Sequence, residues 1–246
     1  MTGNLIITGG GRGIGAATAL MAADRGYNVC VNYLSRSDRA DEIVEKVKAK
    51  GQEAIAVQAD VSREADVVRM FETVDKELGT LKGLVNSAGI TAGISRLDDE
   101  RITEELLANL WAVNITGTIV PCRYAVLRMS TNHGGSGGAI VNVGSIASKI
   151  GAGGMYVDYT ASKGAVDAFT IGLAREVAGE GIRVNCVRPG ITDTEIQPPG
   201  RVEQAGPNLP MGRAAEAHEM ASVILHLLSD EASYVSGAIV DIAGAL

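Results

Sequence analysis

The chain reads as one α/β domain, a doubly wound parallel sheet of about seven strands with helices on both faces. Three observations predict this. Short apolar runs alternate with longer amphipathic stretches from end to end. Several of those runs lack polar alternation, as strands covered on both faces do. The 31 glycines and 4% aromatic content suit close helix packing and tight strand-to-helix turns. At 246 residues, with no linker or composition break, the whole of 1–246 forms a single unit.

In order, the first apolar run, Asn4–Thr8, is a strand that enters a glycine-rich turn and the helical pattern Gly13–Arg25. The run Asn28–Tyr33 is the second strand, followed by an amphipathic stretch at Ser37–Lys50. Glu53–Gln58 and Gly83–Asn86 are strands separated by the helix Glu64–Leu78. A long helix is expected over Asp99–Met129, then a flexible connector, Thr131–Gly138, leading to the strand Ala139–Val143. Helix Tyr156–Ala178, strand Arg183–Val187, helix Ala215–Leu228 and strand Ala238–Ile242 complete the alternation. Thr192–Arg213, with four prolines, breaks the rhythm and reads as a substrate lid or a disordered loop.

Composition narrows the function classes. A net charge of −7 argues against a nucleic-acid partner or an anionic membrane surface. Cys30, Cys122 and Cys186 are odd in number, far apart and set in apolar contexts, so they read as reduced core thiols. No apolar run approaches the ~20 residues of a membrane span, and Met1–Ile7 has no signal-peptide pattern. The expectation is a cytoplasmic protein without a membrane partner. His133, His218 and His226 lack metal-ligand or triad spacing, so no metal site is expected.

Thr8-Gly9-Gly10-Gly11-Arg12-Gly13-Ile14-Gly15 lies between the first strand and first helix. Glycines there let backbone approach a pyrophosphate, and the helix start favours its charge, giving a Rossmann-type dinucleotide site. A tight turn without a ligand is the plainer alternative. The second strand ends Asn32-Tyr33-Leu34-Ser35-Arg36 without the carboxylate that would bind a free ribose hydroxyl. Arg12 and Arg36 stand where a 2′-phosphate would be neutralised. NADP(H) is therefore preferred and NAD(H) remains possible; Arg36 as a solvated helix-start residue is the alternative.

Tyr159 and Lys163 are four apart in a helical stretch, with Ser145 upstream. Residues i and i+4 share a face, with Cβ atoms about 6 Å apart. An ammonium beside a phenol lowers its pKa and equips it to exchange a proton with a substrate oxygen.

These segments together resemble the short-chain dehydrogenase/reductase family over essentially the full length. The matching motifs are Thr8-Gly9-x-x-x-Gly13-x-Gly15, Asp60-Val61, Asn86-Ser87-Ala88-Gly89, Asn114, Ser145, Tyr159-x-x-x-Lys163 and Pro189-Gly190-x-x-x-Thr194. The resemblance implies that Asp60 and Val61 contact the adenine, while Asn86, Ala88 and Gly89 lie along the adenosine side. It places Pro189, Gly190, Thr192 and Thr194 at the nicotinamide and diphosphate. It makes Lys163 a ligand of the nicotinamide ribose, Ser145 a hydrogen-bond partner of the substrate oxygen, and Asn114 the holder of a relay water. Two departures are Ser87, where the family commonly has a second Asn, and Gly11, where many NADP-dependent members have serine.

The expected activity is hydride transfer between NADP(H) and a carbonyl or secondary-alcohol substrate, with Tyr159 as acid/base. A glucose- or polyol-dehydrogenase and a non-catalytic dinucleotide sensor are the alternatives. Small residues on the two long helices, together with analogy to the family, imply a homotetramer, with a dimer as fallback. Substrate choice is expected to reside in Ile90–Leu97, Ile146–Asp158 and the 192–213 lid.

Overall fold

A computed structural model describes residues 3–246; Met1 and Thr2, part of the N-terminal reading above, lie outside the described residues. The first half runs β1 (Asn4–Thr8), α1 (Gly13–Asp24), β2 (Asn28–Tyr33), α2 (Ser37–Ala49), β3 (Ala54–Gln58), α3 (Glu64–Glu77) and β4 (Leu81–Asn86). It continues with α4 (Glu104–Trp111), α5 (Gly117–Met129), β5 (Gly138–Val143), α6 (Ala147–Ile150), α7 (Val157–Val177) and β6 (Ile182–Pro189). The chain ends with β7 (Thr192–Asp193), α8 (Arg201–Ala205), β8 (Ala215–Glu216), α9 (Ala217–Leu228) and β9 (Ile239–Ile242).

Seven strands form one parallel sheet in the order β3-β2-β1-β4-β5-β6-β9. Alternate residues face opposite sides. Leu5 and Ile7 join Val29, Val31, Val85 and Val141 against α1, α2 and α9. Ile6 joins Cys30, Leu84, Ile140 and Val184 against α3, α5 and α7. Two buried faces explain why these strands show no polar alternation. Strand order reverses between β1 and β4, which opens a crevice beyond their carboxyl ends.

Two segments depart from expectation. The helix predicted from Asp99 begins at Glu104, where Thr103 Oγ1 accepts the Leu106 N–H at 3.2 Å. Asp99 is instead held in a turn by the Arg101 backbone and guanidinium. Between α4 and α5 the helix widens into a π segment, Ala112–Thr116. Pro121 lies just beyond and has no N–H for the Gly117 carbonyl, so regular bonding is interrupted at this point. By length and composition Glu104–Met129 would reach across a membrane; here it packs against β4, α3 and α7. The segment expected as a lid contains the short helix α8. β7 and β8 pair at Thr192↔Ala215 and Asp193↔Glu216, closing its two ends together.

Candidate active site

The turns after β1, β4, β5 and β6 line one cleft of about 860 Å³. At its phosphate end, Gly9 and Gly13 have φ of +64° and +52°, conformations that side chains resist. A Cβ on Gly9 would stand 3.0 Å from the Ala88 Cα, so the β1 and β4 turns touch backbone to backbone. α1 starts with no side-chain cap and no acidic residue in its first turn. Its first N–H groups and dipole thus face the cleft, a setting that fits a pyrophosphate.

Gly9, Gly11, Arg12, Gly13 and Ile14 line the cleft, as do Tyr33, Ser35, Arg36, Asp60, Val61, Ala88 and Gly89. Pro189, Gly190, Thr192 and Thr194 close its far side. Two expected contact residues, Gly15 and Asn86, and Asn114, the expected holder of a relay water, stand behind this wall. A Cβ on Gly15 would lie 2.4 Å from the Gly9 carbonyl oxygen, so its role is to let α1 meet the turn. Asn86 donates to Asn142 Oδ1 at 2.9 Å and Ser87 fronts the cleft in its place. Asn32 lines the cleft but spends its amide inside the fold. Its Oδ1 accepts the Gly9 N–H at 3.2 Å, and its Nδ2 donates to the Ala59 carbonyl at 3.0 Å. It is thus a brace for the glycine turn, pinning β2 to β3.

The ribose end carries one more cation than expected. Arg36 forms a two-pronged pair with Asp38 at 2.9 and 2.7 Å, which offsets its charge. Arg39, one helical turn on, also lines the cleft. It meets Glu195 at 2.8 Å, while Arg12 lies 3.5 Å from the same carboxylate. The i, i+3 spacing of Arg36 and Arg39 was the available signal for this second arginine.

At the other end, Ser145, Tyr159 and Lys163 line the cleft together. β5 delivers Ser145, and α7 presents Tyr159 and Lys163 on one face, with the Lys163 Nζ 5.8 Å from the Tyr159 ring centre. Lys163 is buried and donates to the Val143 carbonyl at 2.8 Å. An ammonium has three donors, so this bond anchors it without exhausting it. Burial pushes Lys163 down to about 8, opposed by Cys186 and Asp167. Burial pushes the Tyr159 phenol up to about 12, opposed by a hydrogen bond from Ser145 and reinforced by Tyr156. The expected depression of Tyr159 by Lys163 is therefore absent from the protein alone: desolvation leads, and Ser145, not Lys163, opposes it.

Asn114 is fully buried inside the π segment. Its Nδ2 donates to the Ile90 carbonyl and Ser162 Oγ, each at 3.0 Å, and its Oδ1 accepts the Ile90 N–H at 2.9 Å. A Cβ on Gly89 would stand 3.4 Å from Asn114 Oδ1 and 3.5 Å from Lys163 Nζ. Asn114 thus holds the β4 turn against the lysine rather than presenting its amide to the cleft.

A pair that sequence reasoning missed supports α7 from behind. Asp167, one turn beyond Lys163, accepts from Arg188 Nε at 3.0 Å and Nη2 at 2.9 Å. Arg188 reaches Asp241 at 3.4 Å, and Asp241 holds Lys149 of α6 at 2.5 Å. The hidden signal was an aspartate at i+4 from Lys163, on the same helical face. Among the described residues no cluster of His, Cys, Asp and Glu is arranged to hold a metal.

A family model described as Enoyl-(Acyl carrier protein) reductase matches residues 9–244. The chain is 49% identical over 243 residues to an uncharacterized oxidoreductase, YgfF, of Escherichia coli (strain K12), covering 97% of this chain and 98% of that protein. It is 37% identical over 241 residues to carbonyl reductase family member 4 of Danio rerio, covering 98% and 96% of the two chains. The crystal structure of a short chain dehydrogenase from Burkholderia cenocepacia J2315 in complex with NADP superposes with a TM-score of 0.91 at 32% identity, covering 98% and 96% of the two chains. Motifs, sheet order and these relatives agree: the chain belongs to the short-chain dehydrogenase/reductase family of oxidoreductases.

Proposed function

We propose that the protein reduces a carbonyl compound, or oxidises the matching secondary alcohol, with NADP(H) as preferred cofactor and Tyr159 as the proton donor and acceptor. One observation carries this reading: Ser145, Tyr159 and Lys163 line the same cleft as the glycine turn. A bound nicotinamide dinucleotide supplies the hydride. Gly9, Gly11, Gly13 and the α1 start would hold its diphosphate, Asp60 and Val61 would flank the adenine, and Lys163 would take the nicotinamide-ribose hydroxyls. In the reductive direction the Tyr159 hydroxyl gives its proton to the substrate oxygen as negative charge develops there, and Ser145 donates a second hydrogen bond to that oxygen. With its phenol held up by burial, Tyr159 carries its proton at neutral pH but is a weak acid in the protein alone.

Support for NADP(H) comes from Arg12, Arg36 and Arg39 around the ribose end, from the missing carboxylate after β2, and from the NADP in the Burkholderia relative. Against a sensor without turnover stands the joint presence of Ser145, Tyr159 and Lys163 in the cleft, since sensing needs no acid–base tyrosine. For assembly, a shallow apolar groove formed by Ile119, Val126, Leu127, Phe169 and Leu173 runs between α5 and α7. Exposed Ile171 adds to the apolar surface of α7, and pairing of two copies at the groove accounts for it. The test is a screen of NADPH and NADH oxidation over ketones, oxo esters and aldoses. Comparable rates with the two cofactors would refute the phosphate preference, and no turnover on any carbonyl would refute the reaction.

A further inference from the structure

The substrate end of the cleft is largely apolar, with Ile90, Ile146, Ile150, Met155 and Leu209 on its wall, yet α8 brings Arg201 into it. The arginines at the cofactor end, Arg12, Arg36 and Arg39, all face carboxylates. Arg201 has none: among the described residues no carboxylate or carbonyl holds its guanidinium. Its charge is felt at the Tyr156 hydroxyl, where it opposes the rise that burial causes. Tyr156 in turn stands edge-on to Tyr159, ring centres 6.2 Å apart. One wall of the cleft therefore runs from the proton donor, past an aromatic spacer, to a cation without a counter-ion. A partly buried charge gains most from an opposite charge that completes its hydrogen bonds, and a guanidinium fork matches a carboxylate.

We propose that the natural substrate carries a carboxylate seated on Arg201, with its carbonyl at Tyr159 and an apolar stretch lying between them. This rests on the oxidoreductase reading above. The Tyr156 ring separates the two polar ends, so the fit is to an oxo acid whose two groups are several carbons apart, not to a 2-oxo acid. The carboxylate takes no part in the bond changes. The carbonyl carbon gains the nicotinamide hydride, its oxygen gains the Tyr159 proton, and the dinucleotide is oxidised.

The test pairs two measurements on the full-length protein and on Arg201→Leu and Arg201→Lys. Titration calorimetry with octanoate, an unreactive carboxylate, is expected to show binding that weakens about ten- to a hundredfold in Arg201→Leu and is largely kept in Arg201→Lys. Steady-state rates compare a medium-chain oxo acid bearing a distal methyl ketone with its methyl ester. The acid-to-ester ratio of kcat/KM should exceed one in the unaltered protein and fall by a similar factor in Arg201→Leu. Equal octanoate affinity with and without the guanidinium, or an unchanged ratio, overturns the proposal. Octanoate binding decides the carboxylate seat even without turnover. Turnover of the ester with no such binding upholds the oxidoreductase reading and sinks only this one.

Discussion

At the scale of single residues, burial rather than proximity sets the protonation of Tyr159 and Lys163. Lys163 is charged in folded and unfolded chains at neutral pH, yet its folded pKa is down at about 8 from 10.5. That difference costs the fold about 3 kcal/mol at pH 7. The sign follows from proton counts. Between about 8 and 10.5 the unfolded chain binds more protons at this site, so stability rises with pH across that window. Lys163→Met should therefore melt higher than the unaltered protein at pH 7 while losing turnover, and the advantage should shrink by pH 10. Calorimetry at the two pH values checks it. Tyr159→Phe should lower kcat at least a thousandfold with dinucleotide affinity within about threefold, measured by fluorescence titration. Near-normal rates in that variant would remove Tyr159 from the mechanism. Tyr159, Lys163 and Ser145 were legible because helical spacing alone puts two of them on one face. The bracing bonds of Asn32 were not legible, because nothing local reveals that β3 and the residue just beyond it offer their carbonyls to that amide.

Among elements, α7 is held by a chain of charges rather than by apolar packing alone. Lys149, Asp241, Arg188 and Asp167 link α6, β9, β6 and α7 beneath the Ser145 turn. A Cβ on Gly144 would stand 3.2 Å from Asp167 Oδ1, so this carboxylate lies directly behind the strand end that delivers Ser145. Asp167→Asn leaves Arg188 with Asp241 alone. The expected loss is about 2 to 3 kcal/mol by denaturant unfolding, below the ~3–5 kcal/mol of a wholly orphaned buried charge. Asp167→Leu with Arg188→Met should recover most of that stability, because neither charge is then left unpaired. A double variant as unstable as the single one would show that shape, not charge, is what matters here. The seven strands of the main sheet and the longer helices were readable to within a few residues, except where the Asp99–Arg101 turn delays α4 and where the π segment widens the helix before Pro121; the short elements α6, β7, α8 and β8 were not.

For the molecule as a whole, ligand and assembly are linked to stability by mass action. NADPH at a hundred times its Kd should stabilise the fold by about 2.7 kcal/mol, a melting shift of about 5–10 °C for a chain of this size. NADH at the same concentration should shift it less if the arginines at the ribose end discriminate. Arg39→Ala should narrow that gap, and Arg36→Ala should narrow it less, since Asp38 offsets Arg36 with a two-pronged pair of its own whereas Arg39 shares Glu195 with Arg12. Equal shifts with both dinucleotides in the unaltered protein would end the argument for phosphate selection. Sedimentation of Leu127→Glu should show smaller particles than the unaltered chain if the α5–α7 groove joins copies. A sedimentation coefficient unchanged by the substitution would leave that groove solvent-facing.

What the amino-acid order alone determined is the alternation of strands and helices, the glycine turn and the tyrosine–lysine pair, because periodicity and backbone freedom are local properties. Tertiary structure alone decided that Arg39 and Glu195 meet at the cleft, that Asp167 backs the Ser145 turn, and that Arg201 faces the substrate end unpaired. Each of these depends on charges from distant segments, and Coulomb energy follows separation in space and local dielectric, neither of which is written along the chain.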